Sequence, residues 1–148
     1  MEEIMKKLSV KFSAAVPFML LLGALMLPVQ LDAAPRNRRA DKEVVTVAEA
    51  DFDREIARGV VLVDFYADWC PPCRRQAPIA ASAAKRLPQG ARIIKVNVDK
   101  AKNISRRFNI RAIPTWVVFK NGREVQRFSG LRPEKFLLDV AGQHLRKR

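Results

Sequence analysis

Val60-Val61-Leu62-Val63-Asp64-Phe65-Tyr66-Ala67-Asp68-Trp69-Cys70-Pro71-Pro72-Cys73 is the stretch on which the fold turns. Val60 to Tyr66 is apolar except for Asp64, the pattern of a strand covered on both faces. A helix is expected from about Cys73 to Leu87, kinked at Pro78. The cysteines therefore sit where a buried strand hands over to a helix. Two cysteines three apart at a helix start can close a disulfide, and the unpaired N–H groups and dipole of the helix favour a thiolate at the first sulfur. Cys70 is the expected nucleophile. Cys73, one turn in and more buried, is the expected resolving thiol, with Arg74 and Arg75 adding positive potential. A passive structural disulfide is the competing reading, but a loop this tight gains little from cross-linking.

Outward from this stretch, periods of 2 and 3.6 alternate. Val44–Val47 reads as a short strand, and Ala48–Arg58 has helical composition ending at Gly59. Ala91–Val98 is a β-branched strand, Lys100–Phe108 a short basic helix, and Thr115–Lys120 another buried strand. Asn121-Gly122 predicts a hairpin that pairs this strand with Glu124–Phe128. Arg132–Leu145 closes as an amphipathic helix, with Phe136, Leu137, Val140 and His144 or Leu145 near one face. The order β-α-β-α-β-α-β-β-α implies an α/β sandwich.

At 148 residues, 49% of them hydrophobic and 29% charged, the chain suits about one globular domain. Collagen-like, repeat and wholly disordered classes are excluded. Two cysteines and one histidine, His144, are too few for a disulfide-stapled miniprotein or a four-cysteine zinc site. Phe12 to Leu31 is a run of 20 residues without a charge, after Lys6, Lys7 and Lys11. Residues 1–34 are accordingly read as a signal peptide or an N-terminal membrane anchor, 35–42 as a polar basic linker and 43–148 as the folded domain. Cleavage would fall after Ala33 or Ala34; as an anchor the run reaches the length of a span, weakened by Pro17, Gly23, Pro28 and Gln30. Either outcome carries the domain out of the cytosol, in a bacterium to the periplasm or the outer face of the inner membrane. Lys6, Lys7 and Lys11 balance Glu2, Glu3 and Asp32, so the whole net charge of +13 belongs to residues 35–148. That charge suits acidic partners or anionic lipid, but it is spread out and carries no nucleic-acid-binding motif, so it reads mainly as solvated surface.

With Ala77-Pro78, Lys95-Val96-Asn97-Val98-Asp99, Ile110-Arg111-Ala112-Ile113-Pro114-Thr115, Phe119-Lys120-Asn121-Gly122 and Ser129-Gly130, the opening stretch resembles the thioredoxin family in order and spacing over about residues 43–146. The resemblance implies a three-layer sandwich: a central mixed sheet, helices on both faces and a C-terminal hairpin. It makes Cys70–Cys73 the redox disulfide, Pro114 a cis proline facing it, and the Ile113 backbone the partner of an extended substrate segment. Asp64 becomes the buried carboxylate behind Cys73, acting in proton transfer with Lys95 nearby. Trp69, Pro71, Pro72 and Gly130 join Ile113 and Pro114 around the substrate. An ionised carboxylate in an apolar strand is costly, so the Asp64 pKa should be raised and the group can serve as a base. A proline entering a buried strand needs a reason such as a cis turn. One departure qualifies the resemblance. Pro71-Pro72 stands where most relatives carry Gly-Pro, which removes an N–H beside the thiolate. The short Cys73–Pro114 span lacks the helical insert often found in exported cytochrome-maturation reductases. Ile113 before the proline resembles the family's reductants more than its oxidases.

Three functions compete on these residues. The first is a monomeric thiol–disulfide oxidoreductase without cofactor or metal, reducing protein disulfides and recharged by a membrane thiol-electron donor. A chaperone holding Cu(I) between both thiolates is the alternative, since soft ligands suit that ion; the lack of a histidine near the pair counts against it. A non-catalytic binding module comes third, opposed by the complete Cys, Asp and Pro set.

Overall fold

The computed structural model describes residues 42–146, which lie in one compact unit. The expected signal or anchor, nearly all of the linker, and Lys147 and Arg148 lie outside the described residues. Elements follow in the order β1 (Val45–Thr46), a 3-10 turn (Glu49–Asp51), α1 (Phe52–Ile56), β2 (Val60–Tyr66), α2 (Pro71–Arg86), β3 (Ala91–Asn97), α3 (Lys102–Arg107), β4 (Thr115–Lys120), β5 (Arg123–Ser129) and α4 (Glu134–Arg146). The sheet runs β1-β3-β2-β4-β5. β3 lies parallel to β1 and β2, while β4 is antiparallel to β2 and β5, giving the mixed sheet with its terminal hairpin. Among the described residues no helix is long and apolar enough to cross a membrane.

Alternation along β2 splits the core in two. Val60 and Leu62 join Ile93, Trp116 and Val118 beneath α2 and α4, packing on Ala80, Ala83, Leu87, Leu137 and Val140. Val61, Val63 and Phe65 point the other way, to Phe52, Ile56, Ile104 and Phe119. On that side Phe52, Phe65, Phe108 and Phe119 form a cluster with ring centroids 5.1 to 6.5 Å apart. Such aromatic pairs each add about 0.5–1.5 kcal/mol beyond their burial.

Several boundaries differ from the sequence reading. β1 is two residues long, both exposed, and pairs only with β3; the buried residue of this region is Val47, just beyond it. The expected Ala48–Arg58 helix breaks into a 3-10 turn and a five-residue helix, and no side chain caps either. Its end follows expectation: Gly59 has φ +74°, and a Cβ there would lie 2.6 Å from the Gly90 carbonyl oxygen. α2 starts at Pro71 rather than Cys73 and runs on through Pro78. α4 starts at Glu134 rather than Arg132, whose N–H is taken by the Gln76 side chain. Asn121 and Gly122 have φ +49° and +80°, the left-handed pair of a type I′ turn.

Candidate active site

Cys70 is the N-cap of α2, and Pro71 and Pro72 fill its first helical positions. A helix start leaves N–H groups without partners, and proline there has none to leave. The Cys73 N–H donates to Cys70 Sγ at 3.2 Å, and the Arg74 N–H to the Cys70 carbonyl at 3.2 Å. With two prolines beside it, the first sulfur thus receives the earliest amide that α2 possesses. The two cysteines are joined in a disulfide, with Cα atoms 5.3 Å apart. Cys73 is not the more buried of the two: Cys70 is 2% exposed and Cys73 4%. The pair forms a small apolar cluster with Ala67, against which Tyr66, Val98 and Ile113 pack. What distinguishes the sulfurs is their place on the helix, Cys70 at its mouth and Cys73 on its inward stripe with Gln76, Ala80 and Ala83.

Three segments meet here. The Ile113–Pro114 peptide is cis, and the Ile113 carbonyl oxygen lies 3.9 Å from Cys70 Sγ. Gly130 N–H donates to the Pro114 carbonyl at 2.8 Å, which ties the end of β5 to the start of β4. Thr115 Oγ1 reinforces the tie, donating to the Ala112 carbonyl at 2.7 Å and lying 3.0 Å from Ser129 Oγ. Pro114 is buried, Pro72 and Ile113 are half-buried, and Pro71 and Gly130 are exposed. Nothing stands within 4 Å of where a Gly130 Cβ would be, so the surface beside it is open.

Trp69 is 66% exposed, an unusual setting for an indole. Its Nε1 donates to Asp99 Oδ2 at 2.9 Å. Buried Asn97 accepts from the Asp99 N–H at 2.9 Å and donates to Asp68 Oδ2 at 3.2 Å. The exposed ring is therefore tethered through its indole nitrogen to Asp99, which buried Asn97 holds in place at the end of β3.

Asp64 lies on the sheet face that α2 covers and is 1% exposed. Burial pushes its carboxyl from the ordinary 3.8 up to about 7, opposed in part by the positive charge of Lys95. Lys95 is its register partner on β3, yet the ammonium sits 4.2 Å from the centre of the Tyr66 ring. The ammonium thus rests on the Tyr66 ring rather than closing an ion pair with Asp64. Asp64 Oδ1 has no hydrogen-bond partner; opposite it on β4, buried Trp116 likewise leaves its Nε1 unpartnered.

Sequence reasoning missed Tyr66, Asp99 and above all Gln76. Gln76 is fully buried one turn after Cys73. Its amide donates to the Arg132 carbonyl at 3.0 Å and accepts from the Arg132 N–H at 2.7 Å, fastening the loop after Gly130 to α2. The available signal was a polar residue on the otherwise apolar stripe Cys73, Gln76, Ala80, Ala83, Ala84.

Comparison with known proteins agrees with this geometry. The thioredoxin family model matches residues 43–142. Thioredoxin from Staphylococcus aureus strain Mu50 is 38% identical over 102 residues, 69% of this chain and 98% of that protein. Among solved structures, a mutant thioredoxin from Halobacterium salinarum NRC-1 superposes with a TM-score of 0.67 at 30% identity, covering 73% of this chain and 96% of that one. Malassezia sympodialis thioredoxin gives 0.61 at 32% identity, covering 70% and 91%. The disulfide at the mouth of α2 thus has the sheet, the order of elements and the relatives that belong with it, and the chain is a member of the thioredoxin family, a thiol–disulfide oxidoreductase acting on protein disulfides.

Proposed function

We propose that this protein reduces protein disulfides outside the cytosol, with Cys70 as the attacking thiolate and Cys73 as the resolving thiol. The observation that carries the placement is the 20-residue uncharged run after Lys6, Lys7 and Lys11, ahead of a complete redox site. In the reduced protein, Cys70 Sγ attacks one sulfur of a substrate disulfide, forming a mixed disulfide and expelling the other substrate sulfur as a thiolate. Asp64 then takes the Cys73 proton. The resulting thiolate attacks Cys70 Sγ, the second substrate sulfur leaves, and Cys70–Cys73 closes. Two electrons pass to the substrate, and the protein ends in the oxidised state described above.

The roles follow from position. Cys70 receives the Cys73 amide and lies beside the Ile113 carbonyl, where an extended segment can pair with the backbone. A carboxyl titrating near 7 suits proton exchange with a thiol at neutral pH. Trp69, Pro71, Pro72, Ile113, Pro114 and Gly130 form the wall against which the substrate lies. Outside the cytosol, recharging falls to a membrane thiol-electron donor, because soluble nicotinamide-dependent reductases work on the other side of the membrane.

Fractionation of the native host tests the placement. The chain is expected outside the cytosol, either soluble with a mass starting near Ala34 or membrane-bound with residues 1–33 retained. A soluble full-length chain in the cytosol would overturn the export reading and, with it, the membrane donor.

A further inference from the structure

The three segments that meet at the disulfide also carry charge in an uneven way. Arg74 and Arg75 directly follow Cys73, and Arg111 comes two residues before Ile113. Successive Cα atoms are about 3.8 Å apart, so each arginine is anchored within roughly 8 Å of a residue that touches the disulfide. All three are exposed. Several arginines away from the disulfide meet carboxylates: Arg54 pairs with Asp51, Arg86 with Glu134, Arg107 with Asp53 and Arg127 with Glu124. Among the described residues, the three arginines at the disulfide meet no carboxylate. Arg74 donates only to the Asp68 backbone carbonyl, at 3.2 Å, and Arg111 only to the Asn109 side-chain oxygen, at 3.0 Å. The nearby carboxylates are engaged in other ways, Asp68 with Asn97 and Asp99 with Trp69. The exposed large apolar side chains on these segments are Trp69, directly before Cys70, and Leu131, directly after Gly130, 66% and 44% exposed.

Resting on the reductase reading above, we propose that Arg74, Arg75 and Arg111 form a cationic rim that selects acidic polypeptide segments as disulfide substrates. The substrate cysteine would lie at Cys70, its apolar neighbours against Trp69 and Leu131, and its Asp or Glu residues within reach of guanidinium groups. Unpaired arginines at an interface rim act through long-range attraction and bidentate carboxylate contacts. Both weaken with salt, because exposed charges are screened over about 10 Å at 0.1 M ionic strength.

The test uses the full chain, reduced beforehand, and three cyclic disulfide peptides that differ only in flanking Asp-Glu, Ser-Gly or Lys-Arg pairs. At low salt, kcat/KM is expected to follow the order acidic, neutral, basic, with roughly ten-fold between the ends and most of the gap lost at high salt. Arg75→Glu with Arg111→Glu should reverse the order, whereas Lys85→Glu with Arg123→Glu, a change of equal charge elsewhere, should preserve it. Reduction of an uncharged small disulfide reports the chemistry alone, so its loss would count against the reductase reading rather than the rim. Equal rates for the three peptides would overturn the rim, as would a charge reversal that leaves peptide selectivity intact but releases the protein from phosphatidylglycerol vesicles.

Discussion

The side-chain amide of Gln76 closes two hydrogen bonds on the backbone of Arg132, 56 residues away in the chain. It replaces the helical partners that Arg132 forgoes and holds the turn after Gly130 against α2. Gln76→Leu keeps the volume and removes both bonds. Leaving backbone groups unpaired costs about 1–3 kcal/mol each when they are buried, and Arg132 is half-buried. A loss of about 2 kcal/mol in urea unfolding is expected, together with a several-fold fall in kcat/KM for insulin reduction. Unchanged stability would mean that the loop is held by other contacts.

The division of labour between the sulfurs predicts opposite phenotypes. Cys70→Ser should form no mixed disulfide, while Cys73→Ser should halt after the first attack and accumulate the trapped complex. Non-reducing electrophoresis with an oxidised substrate reads this directly. Equal trapping by both variants would exchange or abolish the assignment.

Asp64 predicts a pH signature. Its folded pKa, about 7, lies above its ordinary 3.8, so the folded protein binds the proton more tightly than the unfolded chain does. Stability is therefore full below about pH 4, falls as pH rises towards 7 and stays reduced above it. At about 1.4 kcal/mol per pH unit the whole effect is on the order of 4 kcal/mol. Asp64→Asn should flatten this slope and raise stability at pH 8, while slowing Cys73 resolution near neutral pH. A variant whose stability profile still falls between pH 4 and 7 would place the responsible group elsewhere.

Gly59 predicts a local failure. Alanine there meets both a positive φ and the Gly90 carbonyl, which itself accepts the Val60 N–H at 2.9 Å. A loss of about 1–3 kcal/mol in thermal or urea unfolding is expected. Gly130→Ala shares the positive φ but has open space, so it should cost less.

Most of the scaffold was legible because periodicity is local. Val60–Tyr66 and Thr115–Lys120 needed only their apolar composition, and Asn121-Gly122 only its tolerance of positive φ. The ends of helices were less legible, because they depend on which backbone groups find partners. Pro71 and Pro72 could open α2 only as residues lacking an N–H to satisfy, and Arg132 stayed out of α4 because a distant glutamine had claimed it.

The element order, the two cysteines spaced for a helix mouth and the single acid in an apolar strand can all be read from neighbouring residues, since each is a local pattern. That Cys70 is as buried as Cys73, that the Lys95 ammonium rests on Tyr66, and that Gln76 rather than a capping residue holds the loop after Gly130 emerge only from the packing of distant segments. Burial, cross-strand charge and long-range hydrogen bonding depend on distances between residues far apart in the chain, and those distances exist only once the sheet has assembled.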